Sequence, residues 1–127
     1  MKITGKKIIA LFTVAFLINW IWEILHSKLY IHYQNGEITN FILFQAAVLD
    51  GLIILLIVLV ALRIKINPGK FVLLAGLITA IFIEIWPAQT GRWAYNDPMP
   101  IIPFLKVGLT PVIQLSLTDY LAQRLTL

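Results

Sequence analysis

Apolar residues fall in four long stretches along the chain, separated by short polar segments. The stretches run from Ile8 to Tyr30, Phe41 to Leu62, Phe71 to Ala88 and Val107 to Leu125. Crossing about 30 Å of hydrocarbon takes about 20 helical residues. The first two stretches exceed that length and the third nearly reaches it. The fourth carries Pro111, Gln114, Asp119 and Arg124, which makes it the most polar. The separators are rich in breakers: His32 to Glu37, then Arg63 to Lys70 with Asn67-Pro68-Gly69, then Gln89 to Lys106 with Pro98, Pro100 and Pro103. The last is long for a helix–helix connection, and long ordered loops are often functional. The pattern predicts one all-α domain over residues 1–127, an integral membrane four-helix bundle.

Lys2, Lys6 and Lys7 ahead of the first stretch raise the alternative of a signal peptide. The apolar run exceeds the usual h-region of about 7–15 residues and no A-x-A site follows, so we read it as a retained helix.

Composition agrees with this pattern. The 127 residues are 60% hydrophobic and 13% charged, with mean hydropathy +0.89. Soluble domains run about 45–50% apolar and about 25% charged. The balance excludes a soluble globular enzyme, a disordered chain and a nucleic-acid-binding module. The net charge of +4 comes from cations in the short hydrophilic segments, where they set orientation. Lys2, Lys6, Lys7, Arg63, Lys65, Lys70 and Arg124 fall on one side, against Lys28, Arg92 and Lys106 on the other. The positive-inside rule therefore places both termini in the cytoplasm of a multi-pass cell-membrane protein, with loop 89–106 outside. No cysteine is present, which excludes disulfides, thiolate metal sites and cysteine nucleophiles.

The informative residues are the polar ones within the apolar stretches, because each costs insertion energy and such groups normally face a bundle interior. Asn19, Glu23, His26 and Tyr30 step by four, three and four, which puts them on one stripe of a helix, with Trp22 beside it. The second stretch holds Gln45 and Asp50, the third Glu84, and the fourth Thr110 and Gln114. At about 1.5 Å per residue, Glu23 lies about 10 Å and Glu84 about 8 Å below the outer boundary, and Asp50 about 15 Å in. The three acids and His26 thus share the outer half or the midplane, where antiparallel helices would enclose a polar pocket. Each group also has a plainer reading. Glu23 or His26 could snorkel to water, Asp50 could serve helix packing, and Glu84 could pair with Arg92. Asp119 and Arg124 could pair at the inner end. Asn19, Gln45 and Gln114 are individually typical of helix–helix hydrogen bonds. Ala47-x-x-x-Gly51 and Gly76-x-x-x-Ala80 read as close-packing faces.

A carboxylic acid in a medium of low dielectric stays protonated near neutrality, and a second carboxyl nearby splits the two titrations. A donor and a base in an oily pocket suit protonation of an alkene and loss of a proton elsewhere, as in isomerisation or cyclisation of a lipid or isoprenoid. Trp20, Trp22, Trp86 and Trp93 could steady a carbocation through their ring faces. Glu23-x-x-His26 has the spacing of di-iron carboxylate bundles, but the second such pair is missing, so neither metal nor other cofactor is expected. A small proton-coupled transporter and a non-catalytic scaffold subunit remain as alternatives, and a homo- or hetero-oligomer stays open.

Residues 84–114, Glu-Ile-Trp-Pro-Ala-Gln-Thr-Gly-Arg-Trp-Ala-Tyr and onward to Thr-Pro-Val-Ile-Gln, resemble the lycopene cyclase domain of the small heterodimeric membrane type. Trp86, Ala88, Gly91, Trp93 and Tyr95 follow that family's aromatic pattern in order. The resemblance covers about a quarter of the chain and implies isoprenoid chemistry. It breaks at Pro111-Val112-Ile113-Gln114, where Ile and Gln stand for the family's two acids, and at Pro87, where the family has an acid. The site expected from these arguments has Glu23 and Glu84 as acid and base, tuned by Asp50 and His26. Asn19 and Gln114 orient the substrate, Arg92 closes the pocket or neutralises Glu84, and Trp22, Gln45, Trp86 and Trp93 complete its lining.

Overall fold

A computed structural model describes residues 3–127. Lys2, counted above among the inner cations, lies outside the described residues. Four helices form: α1 Gly5–His26, α2 Asn40–Arg63, α3 Pro68–Gln89 and α4 Leu109–Thr126. Their starts follow local chemistry. The Thr4 and Thr39 hydroxyls accept from the Lys7 and Ile42 amides, each at 3.2 Å. Asn67 Oδ1 accepts from the Gly69 amide at 2.9 Å, and Pro68 occupies the first turn of α3, where its missing N–H costs nothing.

The loops hold structure that helical reading did not anticipate. α1 ends at His26, passes through a 3₁₀ turn at Ser27–Leu29 and continues as strand β1, Tyr30–Tyr33. Tyr30 is therefore off the helical stripe expected for it, because the aromatic and β-branched run Tyr-Ile-His-Tyr takes extended backbone. β1 pairs antiparallel with β2, Trp93–Tyr95, bringing Tyr30 opposite Tyr95 and Tyr33 opposite Trp93. After β1 the chain turns through Gln34 and Asn35, both at positive φ (51° and 61°), ahead of Gly36. β3, Ile101–Ile102, pairs with β4, Val107–Gly108, just before α4. The ends of α1 and α3 are thus tied together at one pole, while the short connector 64–67 ties α2 to α3 at the other.

α1 with its 3₁₀ extension, α2 and α3 are each long and apolar enough to cross a membrane. Their outward faces carry exposed Ile9, Ile21, Leu25, Leu56, Leu74 and Phe82. α4 is shorter and faces the same way round: Ile113, Leu117, Leu121 and Leu125 point outward, whereas Gln114, Thr118, Asp119 and Gln123 are buried. The expected pairing of Asp119 with Arg124 does not form. Five residues on a helix put the two on different faces, and Asp119 is fully buried with no partner for either oxygen among the described residues.

The helices approach each other closely at two glycines. Gly76 lies against the α4 backbone, so close that a Cβ there would sit 2.9 Å from Ser116 Cα. Gly51 lies against the Phe12 ring of α1. Leu11, Ile54, Ile57, Val58, Val72 and Ala122 close the core around these contacts. The expected small-residue faces do pack helices together.

Candidate functional site

At the pole where β1 and β2 pair, a cavity of about 240 Å³ is lined by residues of all four helices and of both strands. Glu23 from α1, Asp50 from α2, Glu84 from α3 and Gln114 from α4 all line it. The walls are otherwise mostly aromatic and aliphatic, with Tyr30, Tyr33, Trp93, Ile42, Leu49 and Ile83 among them.

Two polar clusters meet in this space. The first centres on Gln114, whose Nε2 lies 2.9 Å from Asn19 Oδ1, 2.9 Å from Glu23 Oε1 and 3.1 Å from Asp50 Oδ2. Three acceptors around one nitrogen fix the orientation of the amide, since its oxygen would meet only other oxygens if reversed. Asn19 is fully buried behind the cavity. It donates to the Ala15 carbonyl at 2.8 Å, which leaves its oxygen to accept from Gln114. The Thr118 hydroxyl lies 3.2 Å from the same oxygen. Glu23 Oε1 and Asp50 Oδ2 are thereby brought around a single nitrogen, so the two carboxyl groups lie close together.

The second cluster surrounds Glu84, in the last turns of α3. Tyr95 Oη donates to its carboxylate at 2.7 Å, Trp93 Nε1 at 3.2 Å and Tyr30 Oη at 3.3 Å. The β1–β2 register explains the convergence. Tyr30 and Tyr95 are cross-strand partners, and Trp93 points the same way as Tyr95, two residues along the strand. Burial, and then the negative charge of Glu84, push the Tyr95 phenol above its ordinary range, so it stays a donor.

The expected site residues thus divide. Glu23, Asp50, Glu84, Gln45, Trp93 and Gln114 line one cavity, and Asn19 orders Gln114 from behind. His26 does not line it; its Nε2 bonds the Thr110 hydroxyl at the start of α4, with the Trp22 ring 6.0 Å away. Trp22 likewise lies outside the lining, its buried Nε1 without a partner among the described residues. Trp86 is 57% exposed, and the Arg92 guanidinium stacks over its ring at 4.0 Å. The expected Glu84–Arg92 pairing is replaced by the three aromatic donors, because the turn after α3 swings Arg92 to the outside. Tyr33 and Tyr95 were missed as site residues. The alternation in Trp93-Ala94-Tyr95 and the aromatic run Tyr30–Tyr33 were their only signal, a strand signal inside an otherwise helical sequence.

Among known proteins, no family model, curated sequence or solved structure matches the chain.

Proposed function

We propose that this is a multi-pass membrane enzyme, both termini cytoplasmic, that performs acid–base chemistry on one end of a lipid or isoprenoid. The observation that carries the proposal is the meeting of Glu23, Asp50 and Glu84, from separate helices, in the lining of one mostly apolar cavity. Two carboxyls in contact within oil cannot both ionise, so Glu23 and Asp50 share a proton and form the donor. Glu84, which accepts from Tyr95, Trp93 and Tyr30, forms the base.

In the proposed cycle the Glu23 O–H bond breaks as a C–H bond forms on an alkene carbon, leaving a carbocation. Glu84 removes a proton from a neighbouring carbon and the C=C bond forms at a new position. A proton then returns from Glu84 to the Glu23–Asp50 pair within the shared cavity, so the isomerisation consumes none. Gln114 keeps the two acids in register, and Asn19 keeps Gln114 in place. The resemblance of residues 84–114 to the lycopene cyclase domain supports this reading, since its Trp93 and Tyr95 are donors to Glu84. Where that family carries an acid, Gln114 bridges two acids supplied by α1 and α2.

The test is proton exchange. Protein in micelles, incubated in deuterated water with polyprenols and acyclic polyenes, should introduce deuterium into the lipid as read by mass spectrometry. Glu23→Gln, Asp50→Asn and Glu84→Gln should each abolish incorporation while retaining helical circular dichroism. Incorporation that persists in all three variants overturns the proposal.

A further inference from the structure

The cavity surrounds its contents with negative and π-rich groups and offers no opposing charge. Glu23, Asp50 and Glu84 face it from three helices, and the rings of Tyr30, Tyr33 and Trp93 form its outer wall. No lysine or arginine lines it. The only basic side chain in the lining is His32, whose Nδ1 accepts from the Asn35 amide at 3.1 Å and is thereby engaged by backbone. Arg92, the cation nearest in sequence to the lining, is held on the exposed Trp86 ring instead. Among the described residues no three His, Asp or Glu side chains converge on a point that would hold a metal ion. What this space lacks is a diffuse positive charge, and aromatic faces favour an organic cation over a compact hydrated one.

Size fixes the rest. A volume of about 240 Å³ falls below the range of about 300–1,000 Å³ typical of pockets that enclose a drug-sized molecule. Only the end of a long molecule enters. The remainder would extend past Leu49, which lines the cavity and is itself largely exposed.

We infer that the cavity binds a cationic amphiphile, a protonated tertiary amine at the end of a branched apolar chain. The inference deepens the reading of this cavity as the ligand site: such an amine is the stable counterpart of the carbocation in the proposed cycle, with nitrogen where the charge would form on carbon.

The test is a matched pair of ligands titrated calorimetrically into the full chain in micelles. One is N,N-dimethylfarnesylamine. The other is the hydrocarbon of the same shape, with a CH group in place of nitrogen. The amine should bind at least about tenfold more tightly. That preference should fall toward parity in Asp50→Asn and in Glu23→Gln, and should shrink in Tyr33→Leu, which leaves both acids and their hydrogen bonds intact. Equal affinities, absence of binding by both ligands, or a preference that survives in both acid variants overturns the inference. The outcomes separate from those of the exchange test. An amine preference without deuterium incorporation removes the enzyme and keeps the ligand class, whereas incorporation without a preference does the reverse.

Discussion

The two ends of the helical bundle solve the same problem in different ways. Helices long and apolar enough to cross a membrane would gain little there from hiding apolar side chains, which leaves van der Waals packing and interhelical hydrogen bonds to hold them together. The part beyond the cavity uses packing: Gly76 meets the α4 backbone, Gly51 meets Phe12, and Leu11, Ile54, Val58 and Val72 form a buried cluster. The cavity end uses polar side chains that span from element to element, with Gln114 reaching α1 and α2 and Glu84 reaching β1 and β2. Long polar side chains hold helices farther apart than glycine does, and the space between them is the cavity. Asp119 is the exception, a fully buried acid toward the packed half, and nothing in the structure accounts for it.

The sharpest way to break the comparison is to add volume where the backbones touch. Gly76→Val places carbon where Ser116 Cα would be 2.9 Å away and its N 3.0 Å away, and neither atom can yield without moving α4. We expect a loss of about 3 kcal/mol or more, at the upper end of overpacking costs, measured by unfolding in mixed micelles. Gly51→Ala meets the Phe12 ring at 3.1 Å, a side chain that can rotate, and should cost distinctly less. Equal tolerance at both positions would mean that the part beyond the cavity is not backbone-packed.

The polar half has its own counterpart. Gln114→Leu keeps the bulk of the side chain but removes the donor shared by Asn19, Glu23 and Asp50. Leaving buried acceptors unpaired should cost about 2 kcal/mol and should also widen the separation of the two acids, so the amine preference should fall with stability. A variant as stable as the parent would show that the cavity end is held by its loops alone.

Much of this division was written in the sequence. The apolar stretches located α1, α2 and α3 to within a few residues, and the Ala-x-x-x-Gly and Gly-x-x-x-Ala spacings marked the packed faces, because helical period alone decides which residues share a face. The same helical period brought Glu23, Asp50 and Glu84, from three separate helices, into the lining of one cavity. What the sequence hid was long range. Glu84 gains three donors only because β1 and β2 pair across more than sixty residues, and cross-strand register has no local signature when each strand is three or four residues long. Arg92 was misplaced for a related reason: its direction depends on the turn that ends α3, with Gly91 at φ 74°, rather than on its distance from Glu84 along the chain.

A smaller effect tests how Glu84 is held. Tyr95→Phe removes the 2.7 Å donor and should cost about 1 kcal/mol near neutral pH. The variant should also change the alkaline limb. The Tyr95 phenol is pushed up in the folded chain, by burial first and the Glu84 charge second, whereas in the unfolded chain it titrates near its ordinary value of about 10. The unfolded state therefore loses this proton first, and stability present below about pH 10 declines as pH rises beyond it. Unfolding followed at pH 8 and pH 11 should show a smaller decline in Tyr95→Phe than in the parent. Identical declines would mean that folding does not hold the Tyr95 phenol protonated.

The smallest expected effect is at Trp86, which sequence reasoning placed in the pocket. The structure places its ring on the outer surface beneath Arg92, where an exposed cation–π contact is worth about 0.5–1 kcal/mol. Trp86→Ala should lower stability by no more than that and leave the amine preference unchanged, whereas Trp93→Phe, which removes a donor to Glu84 inside the cavity, should reduce it. The pair isolates position from composition, because both are tryptophans in the same short segment and within one aromatic pattern. If Trp86→Ala weakens amine binding as much as Trp93→Phe does, the cavity wall extends beyond β2, and the line drawn between the polar chamber and its outer surface is in the wrong place.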